Sequence, residues 1–159
     1  MIEWDNGEVR FNYRVAGACL HDGHVLLHRG EPWPNWALPG GRVWPRETAQ
    51  EALRREMREE IASEVAVGRL LWVVENFFTF DERRFHELGF IFTMTLPEES
   101  PYRDVAQEFT GHEGEIPLRF RWFPADALED VDLRPAFLRE ALREPPATTV
   151  HVVQIDEGA

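Results

Sequence analysis

Apolar and polar positions fall in blocks that predict the elements of this chain. Arg14-Val15-Ala16-Gly17-Ala18-Cys19-Leu20 and Val25-Leu26-Leu27-His28-Arg29 flank His21-Asp22-Gly23-His24. Asp-Gly between two apolar runs predicts a hairpin over residues 14–29. The prolines of Gly30-Glu31-Pro32-Trp33-Pro34-Asn35 lack the amide donor that a central strand needs, so a loop follows. Thr48-Ala49-Gln50-Glu51 has the spacing of a capping box, and good helix formers continue to about Ala62, which predicts a helix. Residues 64–67, 70–80, 85–96 and 118–123 are rich in Val, Phe, Trp, Ile and Thr and read as strands. The stretch 97–116, with its Pro, Gly and acidic residues, reads as irregular. A short helix is predicted near 125–128, a longer one over 135–144 where Pro opens the first turn, and a last strand over 148–155. Strands mixed with a few helices predict an α/β or α+β fold, and no repeat or linker divides the chain, which is read as one domain over 1–159 with its core at about 13–144.

The predicted helix carries an anomaly. At about 100° per residue from Ala49, Leu53, Met57 and Ile61 fall at about 40°, 80° and 120°, and Ala52 at about 300°, which defines a buried stripe. Glu56 and Glu60, at about 340° and 20°, sit in the middle of that stripe, with Glu59 on its flank at about 280°. They are also i and i+4, so like charges adjoin on one surface. Partial burial would raise their pKa values, and an Arg partner, protonation or a divalent cation would relieve the repulsion. Three convergent oxygen donors without clustered Cys or His suit a hard ion such as Mg²⁺ or Mn²⁺. The alternative is a solvated acidic face interleaved with Arg54, Arg55 and Arg58.

Composition narrows the partners. At 43% hydrophobic and 29% charged residues the chain has ordinary globular composition. A formal charge of -12 opposes a generic grip on a nucleic-acid backbone, so any phosphate ligand needs a local device. All 17 basic residues are Arg, from which no function is drawn. The lone Cys19 excludes an internal disulfide and any multi-cysteine metal site, and no apolar run reaches membrane-spanning length, so a reduced, cytoplasmic setting away from membranes is expected.

Reading back from the acids, Gly41 is followed after five residues by Glu47, and after seven more by Arg55-Glu56-Met57-Arg58-Glu59-Glu60. This resembles the Nudix box, G-x5-E-x7-R-E-U-x-E-E-x-G-U with U a bulky aliphatic residue, the signature of the Nudix hydrolases. Six fixed positions match, for which the accidental rate is about 10⁻⁶ per window. The lead-in Trp36 to Gly41 and the later Arg121-Trp122-Phe123-Pro124-Ala125-Asp126-Ala127-Leu128 are also similar to that family. The pattern's closing Gly and aliphatic residue are here Ala62 and Ser63, and a non-Gly residue in a left-handed cap costs about 1–2 kcal/mol.

The resemblance implies an α/β/α sandwich with a mixed sheet flanked by helices, and metal-dependent hydrolysis of a pyrophosphate bond in a nucleoside triphosphate or other nucleoside diphosphate derivative. It implies Mg²⁺ or Mn²⁺ held by Glu56, Glu59, Glu60 and the Gly40 carbonyl, with Glu59 or Glu60 taking a proton from water and Arg55 with Glu47 fixing loop to helix. Glu113 and Glu115 in Gly111-His112-Glu113-Gly114-Glu115 are candidates for a further acid, and Arg29 and Arg42 for phosphate contacts. His86-Glu87 are candidates for the pocket wall or for bonds within the sheet, and Trp33, Trp44 and Phe77-Phe78 for base stacking or packing. The proline that the ADP-ribose hydrolases often carry beyond the box is replaced by Phe77-Phe78, and the coenzyme A subgroup's motif is not found, which tilts the substrate toward nucleotides or other nucleotide conjugates. A homodimer is compatible with the resemblance. The competing reading is a Nudix-fold module that binds or senses a nucleotide without turnover; such proteins usually lose box carboxylates, and this chain keeps them.

Overall fold

A computed structural model describes residues 1–156. The strands are β1 (Glu3–Asp5), β2 (Val9–Ala18), β3 (Leu20–His21), β4 (His24–Gly30), β5 (Gly40–Arg42), β6 (Ala66–Phe80), β7 (Arg83–Thr95), β8 (Phe109–Glu113), β9 (Ile116–Pro124) and β10 (Val150–Asp156). The α-helices among the described residues are α1 (Ala49–Ile61) and α2 (Leu138–Ala141), and a 3₁₀ turn spans Pro101–Arg103. One mixed sheet runs β1-β2-β7-β6-β10, with β5 paired to β2; β2–β7 and β6–β10 are parallel, and the other pairs antiparallel. A second, antiparallel sheet runs β3-β4-β9-β8.

The hairpin predicted over 14–29 forms around Asp22 and Gly23, both at positive φ, but its first arm divides at Cys19: β2 belongs to the large sheet and only β3 pairs with β4. The runs 64–67 and 70–80 merge into one strand that begins only at Ala66, because irregular pairing between Val67 and Trp72 absorbs the break. β6 turns into β7 through Asp81 and Glu82, both left-handed, as a two-residue hairpin loop requires. Residues 125–128 make a turn closed by the bond from Ala127 N to Pro124 O and are not helical. The helix predicted over 135–144 shortens to Leu138–Ala141, because i+3 bonds such as Leu138 N to Pro135 O and Arg143 N to Glu140 O flank it with turns. The stretch expected to be irregular contains β8, whose Thr-Gly-His-Glu content gave no strand signal.

Two apolar clusters hold the layers together. Leu53, Met57 and Ile61 of α1 pack with Val15, Phe92, Met94, Leu118 and Phe120, on one side of the large sheet and against the second sheet. On its other side Trp72, Val74 and Ile91 pack with Trp36, Leu128, Leu133, Leu138 and Leu142. β8 approaches the end of α1 closely: a Cβ at Gly111 would lie 2.4 Å from the Glu60 carbonyl oxygen.

Candidate active site

The capping box forms as its spacing predicts. Thr48 accepts from Glu51 N at 3.2 Å, and the Glu51 carboxylate accepts from Thr48 N at 2.8 Å. At the far end Ala62 is left-handed (φ 52°, ψ 35°), its N–H bonding the Arg58 carbonyl, as the departure from the box pattern anticipated. Between these ends Glu60 lies inside the fold, 2% exposed, while Glu59 is open.

Arg55 ties the loop to the helix. Its Nε and Nη2 donate to the two Glu47 carboxylate oxygens at 2.7 and 3.0 Å, and Nη2 also donates to the Arg42 carbonyl at 3.0 Å. Nη1 donates to Glu56 Oε1 at 3.0 Å and Glu59 Oε2 at 3.2 Å, and the guanidinium lies 4.2 Å from the centre of the Trp44 ring. These bonds hold the Glu47 carboxyl below its ordinary pKa and push the guanidinium up. Trp44 therefore packs on Arg55 and is not part of the cleft wall.

Glu56 and Glu60 behave differently. Glu56 lies against Gly41, where a Cβ would come within 2.2 Å of its carboxyl carbon, so the glycine makes room for the acid. Burial first, then the Glu60 charge, pushes the Glu56 carboxyl up to about 7 against the pull of Arg55. Burial also holds the Glu60 carboxyl well above its ordinary value; Arg14 opposes this, while Glu113 and Glu59 add to it. His28 Nδ1 stands 3.2 Å from Glu60 Oε1, but burial, then Arg14, takes the imidazole down to about 3, so His28 is neutral and the contact is not a charge pair. Its geometry makes no hydrogen bond either. Both Glu60 oxygens and His28 Nδ1 are buried without a hydrogen-bond partner, and a buried polar atom without a partner is rare and calls for a reason.

A cleft of about 220 Å³ opens beside this group. It reaches from His28 and Glu113, neighbours of Glu60, across to Asn76, Glu87 and Gln154. Arg14, Arg29 and Arg134 give it positive charge, and Trp33, Phe78 and Phe80 an aromatic wall. The structure thus brings Arg29 and Glu113 to the cleft. It leaves Glu115 exposed on the β8–β9 turn, and it directs Arg42 to Glu3 at 3.1 Å. His86 and Phe77 stack on the opposite face of the sheet, at 4.5 Å between ring centres, while Glu87 and Phe78 face the cleft. Arg14, His28, Asn76 and Gln154 were not singled out from the sequence; the signal available was a polar residue at a strand position whose neighbours two residues away are apolar, as with His28 beyond Leu26. Among the described residues no group of three or more His, Cys, Asp or Glu side chains is already arranged to hold a metal ion; Arg55 bonds Glu56 and Glu59, and Glu60 faces His28.

The sequence profile of the NUDIX domain matches residues 12–144. Among curated proteins, diphosphoinositol polyphosphate phosphohydrolase 2 of Rattus norvegicus is 32% identical over 92 residues, which cover 54% of this chain and 49% of that protein. Nucleoside triphosphatase NudI of Salmonella agona is 46% identical over 59 residues, 34% of this chain and 42% of that protein. The matched part thus spans about half, or less, of the length of these relatives. Among solved structures, a NUDIX hydrolase from Nitrosomonas europaea superposes with a TM-score of 0.62 at 20% identity, covering 82% of this chain and 85% of that one, a likeness of fold.

Proposed function

Because the chain belongs to the Nudix hydrolase family, we propose that it hydrolyses a pyrophosphate bond in a nucleoside triphosphate or another nucleoside diphosphate derivative, as one domain over residues 1–159. The observation that carries this reading is Glu60: a carboxylate 2% exposed with both oxygens unpartnered, next to a second raised carboxylate and to an arginine-lined cleft. A raised acid with specific charged neighbours beside a cleft is a candidate functional group. Oxygen donors that lack a partner, on a helix that keeps every box acid, fit a hard divalent ion.

Glu56, Glu59, Glu60 and the Gly40 carbonyl would hold that ion, Mg²⁺ or Mn²⁺. When bound, it neutralises the diphosphate and lowers the pKa of the attacking water. Arg55, anchored by Glu47 and stacked on Trp44, holds Glu56 and Glu59 in place and keeps the loop closed on the helix. Glu59, the most open of the box acids, takes the proton of the water. Glu113 lines the same space from β8, and its charge raises the Glu60 carboxyl further. Arg29, lying 4.9 Å from the Trp36 ring centre, and Arg14, whose Nη2 bonds the Leu38 carbonyl at 3.0 Å, present guanidinium groups suited to phosphate oxygens.

Incubating the protein with a panel of nucleoside triphosphates and diphosphate conjugates, with and without Mg²⁺ or Mn²⁺, and weighing the products tests the reading. Metal-dependent cleavage between two phosphorus atoms is expected. Cleavage of none of the panel, or cleavage of a phosphate monoester, would overturn it.

A further inference from the structure

Strand β4 alternates between the two apolar clusters. Leu26 packs in the cluster of α1, whereas Val25 and Leu27 pack in the cluster of Leu128 and Leu138. His28, two residues beyond Leu26, therefore projects toward α1. An aliphatic side chain would fill that position, yet the chain places an imidazole there, only 10% exposed. Its place is fixed from three sides. His28 and Ala37 exchange two backbone bonds of 2.9 Å, Phe120 pairs with His28 across β9, and the Phe120 ring meets the imidazole edge to face at 5.3 Å.

What the ring meets on α1 is Glu60. Nδ1 stands 3.2 Å from Glu60 Oε1, and both this nitrogen and the two carboxylate oxygens are buried without a hydrogen-bond partner. A buried polar atom left unpaired is costly, and two unpaired groups side by side call for a common reason. The separation suits a hydrogen bond, and only the alignment is wanting. The last torsion of a glutamate side chain has a broad minimum, so a turn of the carboxyl group that brings Oε1 into line costs little. The chemistry then fixes the tautomer. Burial keeps the imidazole neutral, with one N–H and one lone pair. An ionised carboxylate only accepts, so the ring must face it with Nδ1–H; a proton on Nε2 instead would set two lone pairs against each other.

We propose that His28 is a positioning residue: its Nδ1–H donates to Glu60 Oε1 and leaves the other carboxylate oxygen for the divalent ion that Glu60 would hold. Carboxylates that ligate a metal are themselves held by outer hydrogen bonds. Arg55 gives that hold to Glu56 and Glu59, but it does not reach Glu60. His28 supplies it from the second sheet and so ties β4 to α1, as Arg55 ties the glycine-led loop to the same helix. The inference rests on the reading of Glu60 as a metal ligand.

The test is Mn²⁺ titration of the full chain without nucleotide, with free Mn²⁺ read by electron paramagnetic resonance, so that no turnover enters. His28→Asn sets an amide nitrogen where Nδ1 stands and should keep the wild-type Kd. His28→Gln sets its nitrogen nearer the place of Nε2 and should raise Kd about 10- to 100-fold, the usual cost of a lost outer partner. Both variants bury an amide at one position, so a merely structural role for His28 would not separate them in this way. In a Glu60→Gln background the gap between the two variants should close, because the bond they differ in acts through Glu60. The wild-type protein gives a second readout that needs no variant: with saturating Mg²⁺, ¹⁵N spectra of the His28 ring should show the proton on Nδ1. Equal Kd for His28→Asn and His28→Gln, the same gap between them in Glu60→Gln, or a proton on Nε2 overturns the proposal and leaves the metal reading of Glu60 in place. A Mn²⁺ affinity that Glu60→Gln does not lower overturns both.

Discussion

Replacing Glu56 and Glu60 with Gln should change how stability responds to pH and to metal. In the folded protein Glu56 titrates at about 7 instead of its ordinary 4.5, because burial and the Glu60 charge outweigh Arg55. The folded state then binds more protons than the unfolded chain between those values. This group's contribution is fully present below pH 4.5 and is lost as pH rises through about 7. A shift of that size corresponds to about 3 kcal/mol, reduced to about 2 kcal/mol by solvent screening on the open side of the site. For a domain of this length that is about 4–8 °C in Tm. Glu60 shifts in the same direction and steepens the trend. A divalent cation opposes the loss: at a hundredfold excess over Kd it stabilises by about 2.7 kcal/mol, and more so at higher pH, where the acids are ionised. Thermal melts from about pH 5 to 8 in chelator and in Mg²⁺ measure both effects. Glu56→Gln/Glu60→Gln should flatten the chelator curve and abolish the Mg²⁺ shift. A double variant that keeps the wild-type pH slope and Mg²⁺ shift would refute the reasoning, because these acids would then set neither the pH response nor the metal response.

Other substitutions probe the supports of the site. Ala62→Gly removes a left-handed Cβ at the end of α1 and should stabilise by about 1 kcal/mol in denaturant titrations, once the greater freedom of the unfolded chain is subtracted; a loss of stability would contradict the cap. Gly111→Ala puts a Cβ 2.4 Å from the Glu60 carbonyl and should destabilise by about 1–3 kcal/mol, whereas a neutral result would mean that β8 does not press on the helix end. Arg55→Lys cannot reproduce the fork on Glu47 and should lower activity about 10- to 100-fold, close to the effect of Arg55→Ala; full activity in the lysine variant would deny the positioning role.

The helix and its acids were legible in the sequence because each depends on local order. The cap and the wheel position of Glu60 follow from spacings within Thr48 to Ala62, and the structure places both as the spacing implies; the packing of Glu56 against Gly41 appears only in the structure. The cleft was not legible in the same way. Asn76 and Glu87 lie on strands joined by a hairpin, but Gln154 and Asn12 come beside them only through the parallel pairings β6–β10 and β2–β7, which no local pattern announces. β8 was missed because its packing depends on the absence of a side chain at Gly111, and glycine in an isolated segment argues against a strand. The turns at 125–128 and around α2 show propensity yielding to the tertiary contacts of Leu128, Leu138 and Leu142.

Hydrolysis in ¹⁸O-labelled water most directly tests whether the carboxylates of α1 cleave a diphosphate or only hold one. Wild type with Mg²⁺ or Mn²⁺ should convert a nucleoside triphosphate or diphosphate conjugate into two phosphate-bearing products, one of them carrying the label. Glu60→Gln should keep the fold and lose about 10²–10³ in rate. Saturable binding of the nucleotide with metal, but no labelled product above the water control, would contradict the account and leave a module that binds without turnover.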